Sequence, residues 1–217
     1  MAFANPRGLP LPTAKRVFLV LCALLVWVTL GFQLHFFMIW AKNHQFTVLG
    51  GIWSFFSFFT NLSNILAGIS LIMAARNTSP GALRRNSSLF AATALYLCMA
   101  GIVFNLELSD TVPKTHPAYP VNVLLHDVIP ALFFSFWLFI VPRAHLGKRH
   151  LLWWMVFPVA YFAHVMLRGW LIEHYPYAFF NTILLGYPTV LLNGLEMLVG
   201  FLLLGLLLVG IDRIKRR

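Results

Sequence analysis

Charge is scarce in this chain, and negative charge scarcest of all. Its 217 residues include 16 Lys and Arg but only 6 Asp and Glu, and charged residues of all kinds make up 10%. A soluble domain carries about 25% charged residues, so a water-exposed surface cannot be built from this inventory. Cysteine is almost missing as well. Cys22 and Cys98 each stand alone inside an apolar block, where an isolated Cys is usually a small hydrophobe. No CxxC spacing and no disulfide framework can be drawn from them. The eight His contain no HxxxH or HExxH spacing, so no metal motif is read and no cofactor is implied. Neither an internal repeat nor a linker divides the chain, which leaves a single unit over residues 1–217.

What is abundant is apolar length. Hydrophobic residues make up 60% and the mean hydropathy is +0.80. A spanning helix needs roughly 20 mostly apolar residues. Six blocks meet that requirement: Arg16–Trp40, Ile52–Ala75, Ser88–Leu106, Val121–Pro142, Leu151–Trp170 and Pro188–Asp212. The blocks lack the period-2 alternation of a membrane barrel. In lipid a span must satisfy its own backbone groups, which selects helix. The first block is too long and uninterrupted for a cleaved signal peptide, and no small-residue cleavage site follows it. The expected fold is all-α: a polytopic bundle of six transmembrane helices.

The excess of positive charge sets the orientation. With the N-terminus inside, the inner segments hold Arg7, Lys15, Arg16, Arg76, Arg84, Arg85, Arg143, Lys148, Arg149, Arg213, Lys215, Arg216 and Arg217. The outer segments hold only Lys42, Lys114 and Arg168. This is the positive-inside bias, and it places both termini in the cytoplasm; the expected location is the plasma membrane. A nucleic-acid patch would concentrate on one domain, whereas these charges spread over four inner segments, so no nucleic-acid partner is expected. The partner is the lipid bilayer, and no oligomerisation signal is read.

Polar groups inside spans are where function is sought, since a charged side chain at a helix centre costs about 2.5–3.5 kcal/mol on insertion scales. The second block carries Ser57, Thr60, Asn61 and Asn64 at i, i+3, i+4 and i+7, one face of a continuous helix. The fourth carries Asn122 and His126 on one face, with Asp127 turned about 100° away. The sixth carries Asn193 and Glu196. Thr60, His126 and Glu196 each fall about eight residues from the outer boundary, roughly 12 Å deep at 1.5 Å per residue. Tyr161, His164 and Arg168 form a stripe on the fifth. Taken singly, Asn61, Asn64, Asn105, Asn122 and Asn193 read as glue between helices, and Arg168 with Glu173 as an interfacial pair worth little. His126 and Glu196 read as functional, because intramembrane ionisable groups are functional by default.

The segments Gly50-Gly51-Ile52-Trp53-Ser54-Phe55-Phe56-Ser57-Phe58-Phe59-Thr60-Asn61-Leu62-Ser63-Asn64 and Asn122-Val123-Leu124-Leu125-His126-Asp127-Val128-Ile129-Pro130 resemble the androgen-induced-gene-like, androgen-dependent TFPI-regulating membrane hydrolases, a family with animal members and small bacterial relatives. Tyr175-Pro176-Tyr177-Ala178-Phe179-Phe180-Asn181 is similar to the Tyr-Pro-rich stretch of the bacterial branch. The resemblance implies six helices and cleavage of fatty acid esters of hydroxy fatty acids by a Thr nucleophile and a His on separate helices. His126 is the matching His. The animal register of the motif lands on Ser57, while the Phe-Thr-x-x-Ser-Asn pattern of the bacterial branch lands on Thr60. Thr60 is preferred for its depth, with Ser57 the alternative nucleophile.

The expected activity is therefore hydrolysis of lipid acyl esters, with a hydrophobic acyl chain as substrate. A hydroxyl becomes a nucleophile when a neighbouring base takes its proton, and neutral His126 suits that role. Asn122 or Glu196 is expected to orient the ring, and Asn61, Asn64 or a Tyr to donate to the oxyanion. Two other readings stand beside this one. A lipid-binding protein or proton-coupled carrier would use Glu196 and His126 as a relay. A metal-dependent hydrolase would require His35, His44, His116, His126, His164 and His174 to converge in the fold.

Overall fold

The computed structural model describes residues 13–77 and 79–215; Arg7, Arg216 and Arg217, counted above among the inner basic residues, lie outside them. Among the described residues there is no strand. Five helices are long and apolar enough to cross a membrane, and up to six if a bent pair counts as one span.

α1 (Thr13–Asn43) buries Leu19, Cys22, Ala23, Val26, Thr29 and Leu30, the 3–4 spacing of one helical stripe. Its opposite face leaves Val17, Leu21, Leu24, Val28 and Phe32 exposed. α1 packs chiefly on α3 (Phe59–Arg76). The two backbones come close because α3 offers small residues there: a Cβ on Gly68 would sit 2.8 Å from the Trp27 indole nitrogen, the close approach that small residues permit between helices.

The second apolar block is not one helix. It divides into α2 (Val48–Phe56) and α3, bent by 76° at Ser57 and Phe58. Thr47 caps α2 by accepting from the Gly50 N–H at 3.1 Å. Phe58 is extended, with φ −95 and ψ 127. Neither Pro nor Gly marks the break. It persists because side chains replace the lost helical bonds: Tyr161 donates to the Ser57 carbonyl at 2.8 Å and Asn61 to the Phe55 carbonyl at 2.8 Å. Buried backbone polar groups need such partners.

α4 (Pro80–Arg85) is a single capped turn, with Ser79 at its N-cap and Pro80 opening it. α5 (Ser87–Val103) is the central helix, touching α3, α7 and α9. It continues into a π-helical turn, Phe104–Leu108, and a 3-10 turn, Ser109–Thr111. The fourth block is likewise interrupted: α6 (Tyr119–Val123), a π-helical turn at Leu124–Val128, then α7 (Ile129–Phe139). Phe90, Phe133, Phe136 and Trp137 fill the space between α5 and α7, with Phe90 and Phe136 edge to face at 5.3 Å.

α8 (Lys148–Ile172) and α9 (Thr182–Ile214) pair at the edge of the bundle. Tyr96 donates to the Trp154 carbonyl at 2.7 Å, fastening α8 to α5. α9 turns at Gly186, which takes φ 75 and ψ 157 just before Pro188, a conformation open to glycine. The start expected at Pro188 is this kink, and the preceding turn is capped by Asn181. At the far end of α9, buried Asp212 accepts from the backbone N–H of Ala144 at 3.3 Å and of Leu146 at 2.9 Å, holding the α7–α8 connection.

Candidate functional site

The break between α2 and α3 places Thr60 in the first turn of a helix, and the N–H groups of Phe59 and Thr60 have no helical carbonyl behind them. The Thr60 hydroxyl meets His126 across the bundle, Oγ1 to Nε2 at 3.1 Å, both residues buried. His126 lies in the π-helical turn, where the Ile129 N–H reaches back five residues to Leu124. Such turns recur at functional sites. The ring's Nδ1 is 2.9 Å from the Asn122 carbonyl. A carbonyl can only accept, so Nδ1 carries the proton and the Nε2 lone pair of the neutral ring faces the hydroxyl. Phe104, from the other π-helical turn, stacks on the imidazole with centroids 3.8 Å apart and planes 11° from parallel.

The two π-helical turns pair residue by residue: Phe104 with His126, and Asn105 donating to the Asp127 carboxylate at 2.8 Å. Asp127 is exposed and turned away from the ring, as the helical geometry required. Asn64 joins α3 to the turn that carries His126, donating to the Thr60 carbonyl at 2.9 Å and the Leu125 carbonyl at 3.4 Å. Asn122 serves the ring through its carbonyl; its amide donates to Ala118 at 3.1 Å.

Three expectations need correction. Ser57 does not share a helix face with Thr60, because the break falls between them; its hydroxyl donates to its own Trp53 carbonyl at 2.7 Å. Glu196 is exposed, and it neither lines the cavity described below nor takes part in the hydrogen bonds of His126. Equal depth brought it no closer, because depth leaves the direction a residue faces undetermined. The stripe on the fifth block also splits: Tyr161 and Arg168 are buried while His164 is exposed, and Arg168 donates to the His174 carbonyl, not to Glu173.

Thr60 also lines a cavity of about 270 Å³ between α3, α5, α8 and α9. Its walls are Phe59, Met99, Phe162, Leu198, Phe201 and similar residues, with Thr60, Tyr161 and Tyr177 the polar exceptions. The volume lies near the lower end of ligand pockets, roughly 300–1,000 Å³. The cavity reaches the outside between α8 and α9, where Val159, Leu191 and Leu195 line it and are themselves 51%, 56% and 58% exposed.

The connection Glu173–Asn181 closes the cavity's remaining side, contributing Tyr177, Phe179 and Phe180. Asn193 holds it down, donating to the Phe179 carbonyl at 2.7 Å. Tyr177 lines the cavity together with Thr60 and Tyr161. Burial pushes its phenol up, so the phenol keeps its proton at neutral pH, while these neighbours pull the other way. Tyr177 escaped the sequence reading as a site residue because it stands in a connection, where no helical register could aim it. The only signal for it was the Tyr-Pro-rich stretch.

Among the described residues no three His, Cys, Asp or Glu side chains gather as a metal site would require. Compared with models of protein families, with curated proteins and with solved structures, the chain matches none.

Proposed function

We propose that this chain is an intramembrane hydrolase of fatty acyl esters, with Thr60 as nucleophile and His126 as its base. The observation that carries the reading is the 3.1 Å approach of Thr60 Oγ1 to His126 Nε2 at the wall of an apolar cavity. As Oγ1 bonds to the ester carbonyl carbon, Nε2 takes its proton and the carbonyl electron pair moves onto oxygen. The pair then returns and expels the alkoxide, which takes the proton back from Nε2. Water repeats the sequence on the acylated Thr60 and releases the acid. Throughout, the Asn122 carbonyl holds Nδ1–H, the part a carboxylate plays in a Ser-His-Asp triad.

The surroundings support a lipid substrate. The cavity is apolar beyond its three hydroxyls, and its mouth between α8 and α9 lies on a face rich in exposed Leu, Val and Trp. A monomeric soluble protein rarely exposes so large an apolar surface, and acyl chains would enter sideways from the bilayer. In this reading the bundle has six spans with both termini in the cytoplasm of the plasma membrane. α3, with 18 residues, is about 27 Å long at 1.5 Å per residue, enough to make the second crossing nearly alone. α2 then lies along the outer surface, exposing Val48, Leu49, Trp53 and Phe56. The likeness of residues 50–64 and 122–130 to the androgen-induced-gene-like hydrolases agrees with a Thr and a His acting from separate helices.

The test is labelling of membranes by a fluorophosphonate probe. Wild type and S57A are expected to label, and T60A and H126A to lose labelling. Labelling that persists in T60A, or is indifferent to H126A, refutes the proposal.

A further inference from the structure

Attack by Thr60 leaves one need unmet by the pair itself: a donor for the oxygen that becomes negative. The asparagines expected to serve are occupied. The Asn61 amide is spent on the Phe55 carbonyl, and the Asn64 amide on Thr60 and Leu125. Their side-chain oxygens, buried without partners, can only accept. Tyr161 donates to the Ser57 carbonyl. Of the hydroxyls that line the cavity, this leaves Tyr177 to donate toward a substrate at Thr60.

We infer that Tyr177 is the oxyanion donor of this site, delivered to Thr60 by the Glu173–Asn181 connection; the inference rests on the hydrolase reading above. Tyr177 lines the same cavity as Thr60, on the wall built by the Glu173–Asn181 connection. A carbonyl oxygen brought to Thr60 Oγ1 from the cavity enters the space that the phenol lines. The phenol gives a hydrogen bond and keeps its proton, so no further group is needed to balance the step. The ring is held rigidly, stacked on Phe179 at 5.0 Å and 7°, and edge-on to Phe58 at 5.3 Å. Arg168 and Gly169 anchor the connection to α8: the guanidinium binds the His174 carbonyl, and a Cβ on Gly169 would collide with the Tyr175 ring. A donor held this firmly needs no reorganisation when charge develops.

The experiment compares Y177F, Y187F and T60A in hydrolysis of a long-chain p-nitrophenyl ester by the full chain in detergent. Loss of one oxyanion donor costs about 10²–10³ in kcat, so Y177F is expected to lose that factor with KM little changed, and Y187F, at an exposed tyrosine that does not line the cavity, to keep the wild-type kcat. A general loosening of the fold is separated by binding. A long-chain trifluoromethyl ketone, to which Thr60 adds to form an oxyanion, should bind Y177F more weakly by a similar factor, while an ether analogue without a carbonyl binds as to wild type. Full kcat in Y177F with an inactive T60A overturns the role of Tyr177, as does equal weakening of ketone and ether. An active T60A overturns the hydrolase reading instead.

Discussion

Replacing Gly101 by Ala tests the scaffold of the site without touching its reacting groups. A Cβ at Gly101 falls 2.3 Å from the His126 carbonyl oxygen, a backbone atom that cannot swing aside. Restoring ordinary contact moves the Leu124–Val128 turn by about 1 Å, and a misplacement of that size costs on the order of 10²-fold in rate. The imidazole rides on that same turn, so the movement acts directly on the 3.1 Å contact with Thr60. Overpacking of this kind costs about 1–3 kcal/mol in stability, which corresponds to about 2–4 °C in Tm per kcal/mol for a chain of this size. The assay is the second-order rate of fluorophosphonate labelling, read beside thermal unfolding in detergent. G210A is the control, because a Cβ there meets nothing within 4 Å. A G101A protein that labels at the wild-type rate and unfolds at the wild-type temperature would refute the packing of α5 against the His126 turn.

Two more outcomes follow from other parts of the fold. D212N keeps the shape of a side chain that accepts from Ala144 and Leu146 but turns one acceptor into a donor, so it should cost about 1–3 kcal/mol, seen as a lower Tm; an unchanged Tm would mean that Asp212 does not hold the α7–α8 connection. G194V fills the cavity where Gly194 abuts the Phe162 ring, and kcat/KM should fall at least tenfold for a long-chain ester and little for a short one; equal loss on both would show that acyl chains do not lie there.

The apolar blocks made the long helices legible, because length and hydropathy are properties of composition. The break in the second block was not legible in that way. Its causes, Tyr161 and the Asn61 amide, act through tertiary contacts, and nothing between Trp53 and Thr60 interrupts helix propensity. That one event separates Ser57 from Thr60 and opens the helix start on which the site is built. A helical count aims side chains well only along an unbroken helix. It turned Asp127 away correctly, since the step from His126 is local. It could not orient Glu196, whose facing depends on how α9 rolls against α5 and α8. Tyr177 lay beyond any periodicity, in a connection shaped by its anchors to α8 and α9.

The facing π-helical turns tie the lengths of two distant stretches of sequence together. Each stores one residue beyond what an α-helix would need, which is a phase shift of about 100°. Deleting a residue from Leu124–Val128 alone would let the helix relax and swing His126 out of reach of Thr60, while its partner turn at Phe104–Leu108 kept its old phase. Deleting one from each would shift both sides of the Phe104–His126 and Asn105–Asp127 pairs. In any lineage descended from this chain, an insertion or loss at one turn is therefore expected to be answered at the other, some twenty residues away.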